Sequence, residues 1–185
     1  MKQNVMKFLS KLSKEDLRGT LSRSWSISWP LTLIMFFEFL IGLTDVYIAG
    51  KVGKEVQAAY GFVIQLYFIF IVIGNALTVG TVSVVSRLFT SGKEEELHRT
   101  IFSSLATAAV IGIVFVLGGL LLTPPILSLL SLPGELKPLV LPFIRIYATG
   151  LLFHYLLINS NGILRSCNQI KKSLMTMTLV CVLNI

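Results

Sequence analysis

The chain has 185 residues, 54% of them hydrophobic and only 14% charged, with a formal net charge of +7 and a mean hydropathy of +0.80. Soluble domains carry about 25% charged residues. Here the charges fall between long apolar runs, which excludes an ordinary soluble domain and points to an all-α, multi-pass membrane protein. The basic excess sits at the ends of those runs, so the positive-inside rule accounts for it and nucleic acid is not an expected partner.

Residues 1–24 carry Lys2, Lys7, Lys11, Lys14, Arg18 and Arg23, with Val5, Phe8, Leu9 and Leu12 at helical spacing. This pattern predicts a cytoplasmic amphipathic segment lying on an anionic surface, or else a frayed basic tail. It is too polar for the apolar core of a signal peptide. The rest, 25–185, reads as one transmembrane unit.

The first predicted span covers about 26–49, within the stretch ISWPLTLIMFFEFLIGLTDVYIAGK (27–51). Trp25 and Trp29 suit the headgroup layer where it begins, and Pro30 falls in its first turn. It carries two carboxylates, Glu38 and Asp45, although one charged residue at the centre of such a helix costs about 2.5–3.5 kcal/mol on insertion scales. Seven residues apart, they share a face with a rise of about 10 Å between them. Gly50 to Gly53 is expected to be a turn.

The second span covers about 58–85. Gln65, Asn75 and Thr78 either line a pathway or tie helices together, and Gly61, Gly74 and Gly80 permit close packing. Ser91-Gly92-Lys93 turns the chain into a helix whose first turn holds Glu94, Glu95 and Glu96. The third span, about 101–123, has no charge. Pro124-Pro125 is expected to end it, and 126–132 to form a separate interfacial segment.

The fourth span, about 138–164, has Arg145 near its start as an interface anchor. His154 lies in the middle, as a satisfied packing residue or a proton relay, and Asn159 and Asn161 lie toward the end. A fifth apolar run starts at 173 and has 13 residues, too few to cross ~30 Å of hydrocarbon. The chain therefore reads as the N-terminal piece of a longer protein. Cys167 and Cys181 make no disulfide framework.

With the N-terminus inside, twelve of the sixteen Lys and Arg residues fall on cytoplasmic segments and four on the other side. That bias sets the orientation, in a cell inner or plasma membrane. Asp45 then lies toward the outer end of its span and Glu38 near mid-membrane. Asp45 is either an acid reaching for the outer interface or a buried carboxylate that binds a proton or a cation. Glu38 is either protonated and inert or titratable in a wet cavity. No metal-ligand spacing, phosphate loop or nucleophile elbow is present. The two acids stand too far apart to act on one bond, so the chain is not expected to be an enzyme.

Asp45-Val-Tyr-Ile-Ala-Gly50-Lys51-Val-Gly53 with Ala58-Ala59, then Gly74 to Gly80-Thr81, Ser86-Arg87 and Gly92-Lys93, form an ordered series. Gly162-Ile-Leu-Arg165 and Leu183-Asn184-Ile185 continue it. The series resembles the MATE family, the multidrug and toxic compound extrusion transporters, over about residues 25–185. The resemblance implies twelve spans in two six-helix lobes, with export of small amphipathic organic cations driven by a Na⁺ or H⁺ gradient. It implies no cofactor beyond that ion. The partners it implies are membrane lipids and the remaining C-terminal lobe. By resemblance, Asp45 and Asn184 belong to the cation-coupling site, with a possible Na⁺ at Asp45, and Asn161 lines the first-lobe cavity. Glu38 departs from the polar amide common there and adds a second acid. Glu38, Gln65, Thr78 and Asn161 are thus the cavity candidates. Asn168 replaces a usual glycine and tolerates the left-handed backbone such a turn needs. Two alternatives are a flippase for lipid-linked saccharides from the same superfamily, and a membrane-embedded enzyme or non-transporting assembly subunit.

Overall fold

The computed structural model describes residues 14–129, 133–134 and 136–184. They form five helices: α1 (Lys14–Val52), α2 (Lys54–Thr90), α3 (Glu94–Leu129), α4 (Lys137–Ser166) and α5 (Ile170–Asn184). The first four are long and apolar enough to cross a membrane. At 1.5 Å per residue they run about 45–58 Å, so they outreach ~30 Å of hydrocarbon and continue into the interfacial layers.

The described part of the basic N-terminal segment is continuous with the first span. Residues 14–24 belong to α1, so Pro30 sits inside a long helix and not in its first turn. Residues 1–13 lie outside the described residues. The first turn is also tighter than the expected Gly50–Gly53: α1 runs to Val52, and Gly53 alone joins it to α2.

A second difference concerns the tandem prolines. α3 continues through Pro124 and Pro125 to Leu129, where the sequence reading ended the helix at 123. Proline removes a backbone donor, but its fixed φ suits a helix. Near the end of the helix only a few carbonyls of the preceding turn lose their partners. The carbonyls concerned are those of Leu120 and Leu121, four residues before the prolines; the nearby Thr123 and Ser128 hydroxyls donate instead to the Gly119 carbonyl and, across 2.7 Å, to the Pro125 carbonyl.

α4 is the centre of a tight trio, packed against both α2 and α3. Small residues set the approach. A Cβ on Gly162 of α4 would lie 2.6 Å from a methyl of Thr78 on α2, and one on Gly112 of α3 would lie 2.8 Å from the Leu152 backbone. Buried Tyr155 donates its hydroxyl to the Phe70 carbonyl across 2.6 Å, pinning α4 to α2. α1 packs on α2 and α5 only, and α5 touches the trio only lightly, through α4. Asn168, at φ 59°, takes the left-handed conformation in the turn between α4 and α5. Cys167 and Cys181 are free thiols.

Candidate functional site

The turn at Gly53 folds α2 back along α1. Asp45 stands eight residues before it and Tyr60 seven after it, so both fall about 10–12 Å from the turn, at one level. Tyr60, almost fully buried, donates its hydroxyl to Asp45 Oδ2 across 3.5 Å. α5 rises antiparallel to α4 and ends at this level, where Asn184 Nδ2 donates to Asp45 Oδ1 across 3.4 Å. One carboxylate on α1 thus takes a donor from α2 and a donor from α5, and among the described residues no Lys or Arg is in ion-pair contact with it.

Behind Tyr60 lies a line of aromatic side chains. The Tyr60 and Tyr147 rings stand 6.3 Å apart and edge-on. Tyr147 meets Tyr67 at 5.0 Å, and Tyr67 meets the His154 ring at 5.7 Å. Among the described residues His154 Nε2 is buried without a hydrogen-bond partner. Both amide atoms of Asn159 are also buried and, among the described residues, unpartnered.

The other candidates are dispersed. Glu38 is exposed on α1. Gln65 is exposed on α2. Thr78 is buried and donates to the Gly74 carbonyl of its own helix across 3.0 Å, its methyl packed against Gly162. Asn161 is buried at the α4–α5 contact: it accepts from Ser173 at 3.1 Å and donates to the Met177 sulfur at 3.4 Å. Asp45 and Asn184 come together; Glu38, Gln65, Thr78 and Asn161 do not join them.

Tyr60 and Tyr147 were not singled out from the sequence. The near-mirror spacing of Asp45 and Tyr60 about Gly53 is the signal that finds the first, and nothing local finds the second. Among the described residues, no group of three or more His, Cys, Asp or Glu side chains is placed to hold a metal ion.

The family model MatE matches residues 30–185. Two solved structures share the fold, each with a TM-score of 0.78, 23% identity, and coverage of 85% of this chain and 36% of its own length. One is an outward-facing conformation of a multidrug resistance MATE family transporter of the MOP superfamily. The other is a MOP superfamily transporter from Pyrococcus furiosus Vc1, whose binding pocket of reverse polarity is said to suggest a different function. The chain thus spans about a third of the transporters it resembles. A comparison with curated proteins finds no match.

Proposed function

The chain belongs to the MatE family, and on that premise we propose that it is the ion-coupling part of an antiporter that exchanges Na⁺ or H⁺ for amphipathic organic cations. The observation that carries the reading is the carboxylate of Asp45, held by Tyr60 and Asn184 from two other helices. Ionised, it accepts from both and ties α1 to α2 and α5. A proton or Na⁺ on the carboxylate removes the charge those donors answer, and the grip among the three helices changes. Asn184 then turns its amide oxygen, not its NH₂, toward an arriving cation. A tenfold coupling between ion and cargo needs only about 1.4 kcal/mol.

In this reading the N-terminus is cytoplasmic and Asp45 lies toward the outer face, as the distribution of basic residues supports. Exposed Glu38 and Gln65 are the cargo-facing groups. Asn161 and Thr78, turned into helix contacts, position the helices around the cavity. A second lobe supplies the remaining wall.

The test is extrusion of a cationic dye such as ethidium from proteoliposomes holding the whole protein, under an imposed Na⁺ or H⁺ gradient. Asp45→Asn should abolish gradient-driven extrusion and Glu38→Gln should alter the preference among dyes. Unchanged extrusion by Asp45→Asn would remove the coupling role. Binding of a lipid-linked pyrophosphate but of no organic cation would favour the flippase.

A further inference from the structure

A crevice opens about 22–28 Å along α1 from Asp45, toward the start of that helix. It holds about 580 Å³ and lies between one turn of α1, at Ser26 to Pro30, and the chain reversal that leads into α5, at 168–172. Its wall mixes two kinds of surface. Ile27, Pro30 and Ile170 are apolar, whereas Asn168, Lys171 and Lys172 bring an amide and two ammonium groups. Among the described residues no Asp or Glu lines it.

The chain reversal concentrates positive charge there. Asn168 takes its left-handed φ of 59°, and the N–H groups of Asn168 and Gln169 return to the carbonyls of Arg165 and Leu164. α5 then starts abruptly. The Gln169 carbonyl takes the N–H groups of Lys172 and Ser173, while those of Ile170 and Lys171 find no backbone acceptor among the described residues. Such free donors give a helix start a partial positive charge. Lys171 and Lys172 add two full charges. Both are exposed, and neither is in ion-pair contact among the described residues.

We propose that this crevice binds the headgroup of an anionic phospholipid from the cytoplasmic leaflet, and that the lipid fastens α1 to the α4–α5 turn. The proposal uses the membrane orientation given above and does not need the antiporter reading. Phosphate oxygens suit both the ammonium groups and the free N–H groups of a helix start. A basic pocket between helices at the cytoplasmic face is a setting in which anionic headgroups bind. The surroundings favour a lipid over a free ion. Trp25 and Trp29, exposed and beside the crevice in sequence, suit the headgroup layer. Further along α1, exposed Met35, Phe36 and Phe39 offer acyl chains an apolar surface. Phosphatidylcholine brings a trimethylammonium group as well, and the crevice holds no acid to meet it.

Among the described residues α1 makes no packing contact with α4. A headgroup held between them is a fastening that the membrane itself supplies. The anionic lipid content of the leaflet therefore sets how firmly α1 is held.

The experiment measures the dissociation constants of phosphatidylglycerol and phosphatidylcholine for the whole protein in a neutral detergent, by native mass spectrometry. Phosphatidylglycerol should bind roughly tenfold more tightly. Lys171→Gln combined with Lys172→Gln should abolish that preference. Ile27→Trp, which fills the crevice from a position 41% exposed, should weaken phosphatidylglycerol by about tenfold. Lys51→Gln combined with Lys54→Gln, at the opposite end of α1, should leave both constants unchanged. Phosphatidylglycerol should also raise the thermal midpoint of the wild type and not that of the Lys171 and Lys172 variant.

Equal affinity of the wild type for the two lipids overturns the site, and so does wild-type preference in the Lys171 and Lys172 variant. If the Lys51 and Lys54 variant loses the preference to the same extent, the attraction is diffuse and the site falls. If inorganic phosphate displaces phosphatidylglycerol and raises the thermal midpoint equally well by itself, the crevice holds a free anion and the lipid assignment falls. None of these measurements reads dye extrusion, so their failure leaves the antiporter reading standing, and a protein that extrudes no dye leaves the lipid site standing.

Discussion

Asn184 and Asp45 meet across 139 positions of sequence, the amide donating to one carboxylate oxygen while Tyr60 donates to the other. A hydrogen bond to a charged group contributes about 1.5–3 kcal/mol. Tyr60→Phe removes one donor from the ionised acid and leaves the neutralised acid little changed. On the antiporter reading, the variant should hold a coupling ion at Asp45 roughly tenfold more tightly. The ion concentration giving half-maximal dye extrusion should fall accordingly, and an unchanged midpoint would mean that Tyr60 only packs there.

The contact of Gly162 with Thr78 predicts a stability effect. In Gly162→Val the new Cβ would sit 2.6 Å from the Thr78 methyl and 3.1 Å from a Val82 methyl. Both neighbours are β-branched and stiff at χ1, so neither moves aside easily. Overpacking of this kind costs about 1–3 kcal/mol. Thermal unfolding in detergent, followed by size-exclusion chromatography, should show a lower midpoint, while Gly61→Ala, which meets nothing within 4 Å, should not.

Asn161→Ala should loosen α5 and leave the trio intact. The substitution strands the Ser173 hydroxyl, which is fully buried and donates to the Asn161 amide oxygen. Leaving such a group unpaired costs about 1–3 kcal/mol. Hydrogen exchange over residues 170–184 should accelerate, with residues 137–160 unaffected.

Cys167 lies just past the end of α4, and burial pushes its thiol up from the ordinary range. The thiolate is the reactive form. At neutral pH a smaller fraction is ionised than in an unhindered thiol, so maleimide labelling should be slow and should rise only at a higher pH. Peptide mass spectrometry of labelled protein across pH 6–10 checks this; a rate curve matching free cysteine would refute it.

The apolar runs and the left-handed backbone at Asn168 were legible in the sequence because length, composition and residue type report them directly. Asp45 and Asn184 were legible because a carboxylate in an apolar run stands out and the family pattern supplied its companion. The rotational setting of each helix was not. The residue types leave Thr78 between lining a pathway and tying helices together, and only the resemblance places Asn161 in a cavity; both turn into helix contacts, and no amphipathic pattern could have said so. In a membrane, the lipid-facing surface and the surface that packs on other helices are both apolar. The ends of the helices were misplaced for a related reason. Hydropathy marks where hydrocarbon stops, and α1 and α3 continue past that level because nothing at Lys14–Ser24 or after Pro125 forbids helix.

The division of the bundle into a tight trio and a loosely attached pair, α1 with α5, has a mechanical consequence. Two polar fastenings join the pair to the trio, Asp45 to Tyr60 near one end and Ser173 and Met177 to Asn161 near the other. A rod clipped at both ends cannot slide along its axis or swing away at one tip without breaking a clip, but it can roll. Of the two clips, a roll of α1 about its own length opens only the one between Asp45 and Tyr60 and leaves the Asn161 clip in place. Such a roll would carry Glu38 around the circumference of α1.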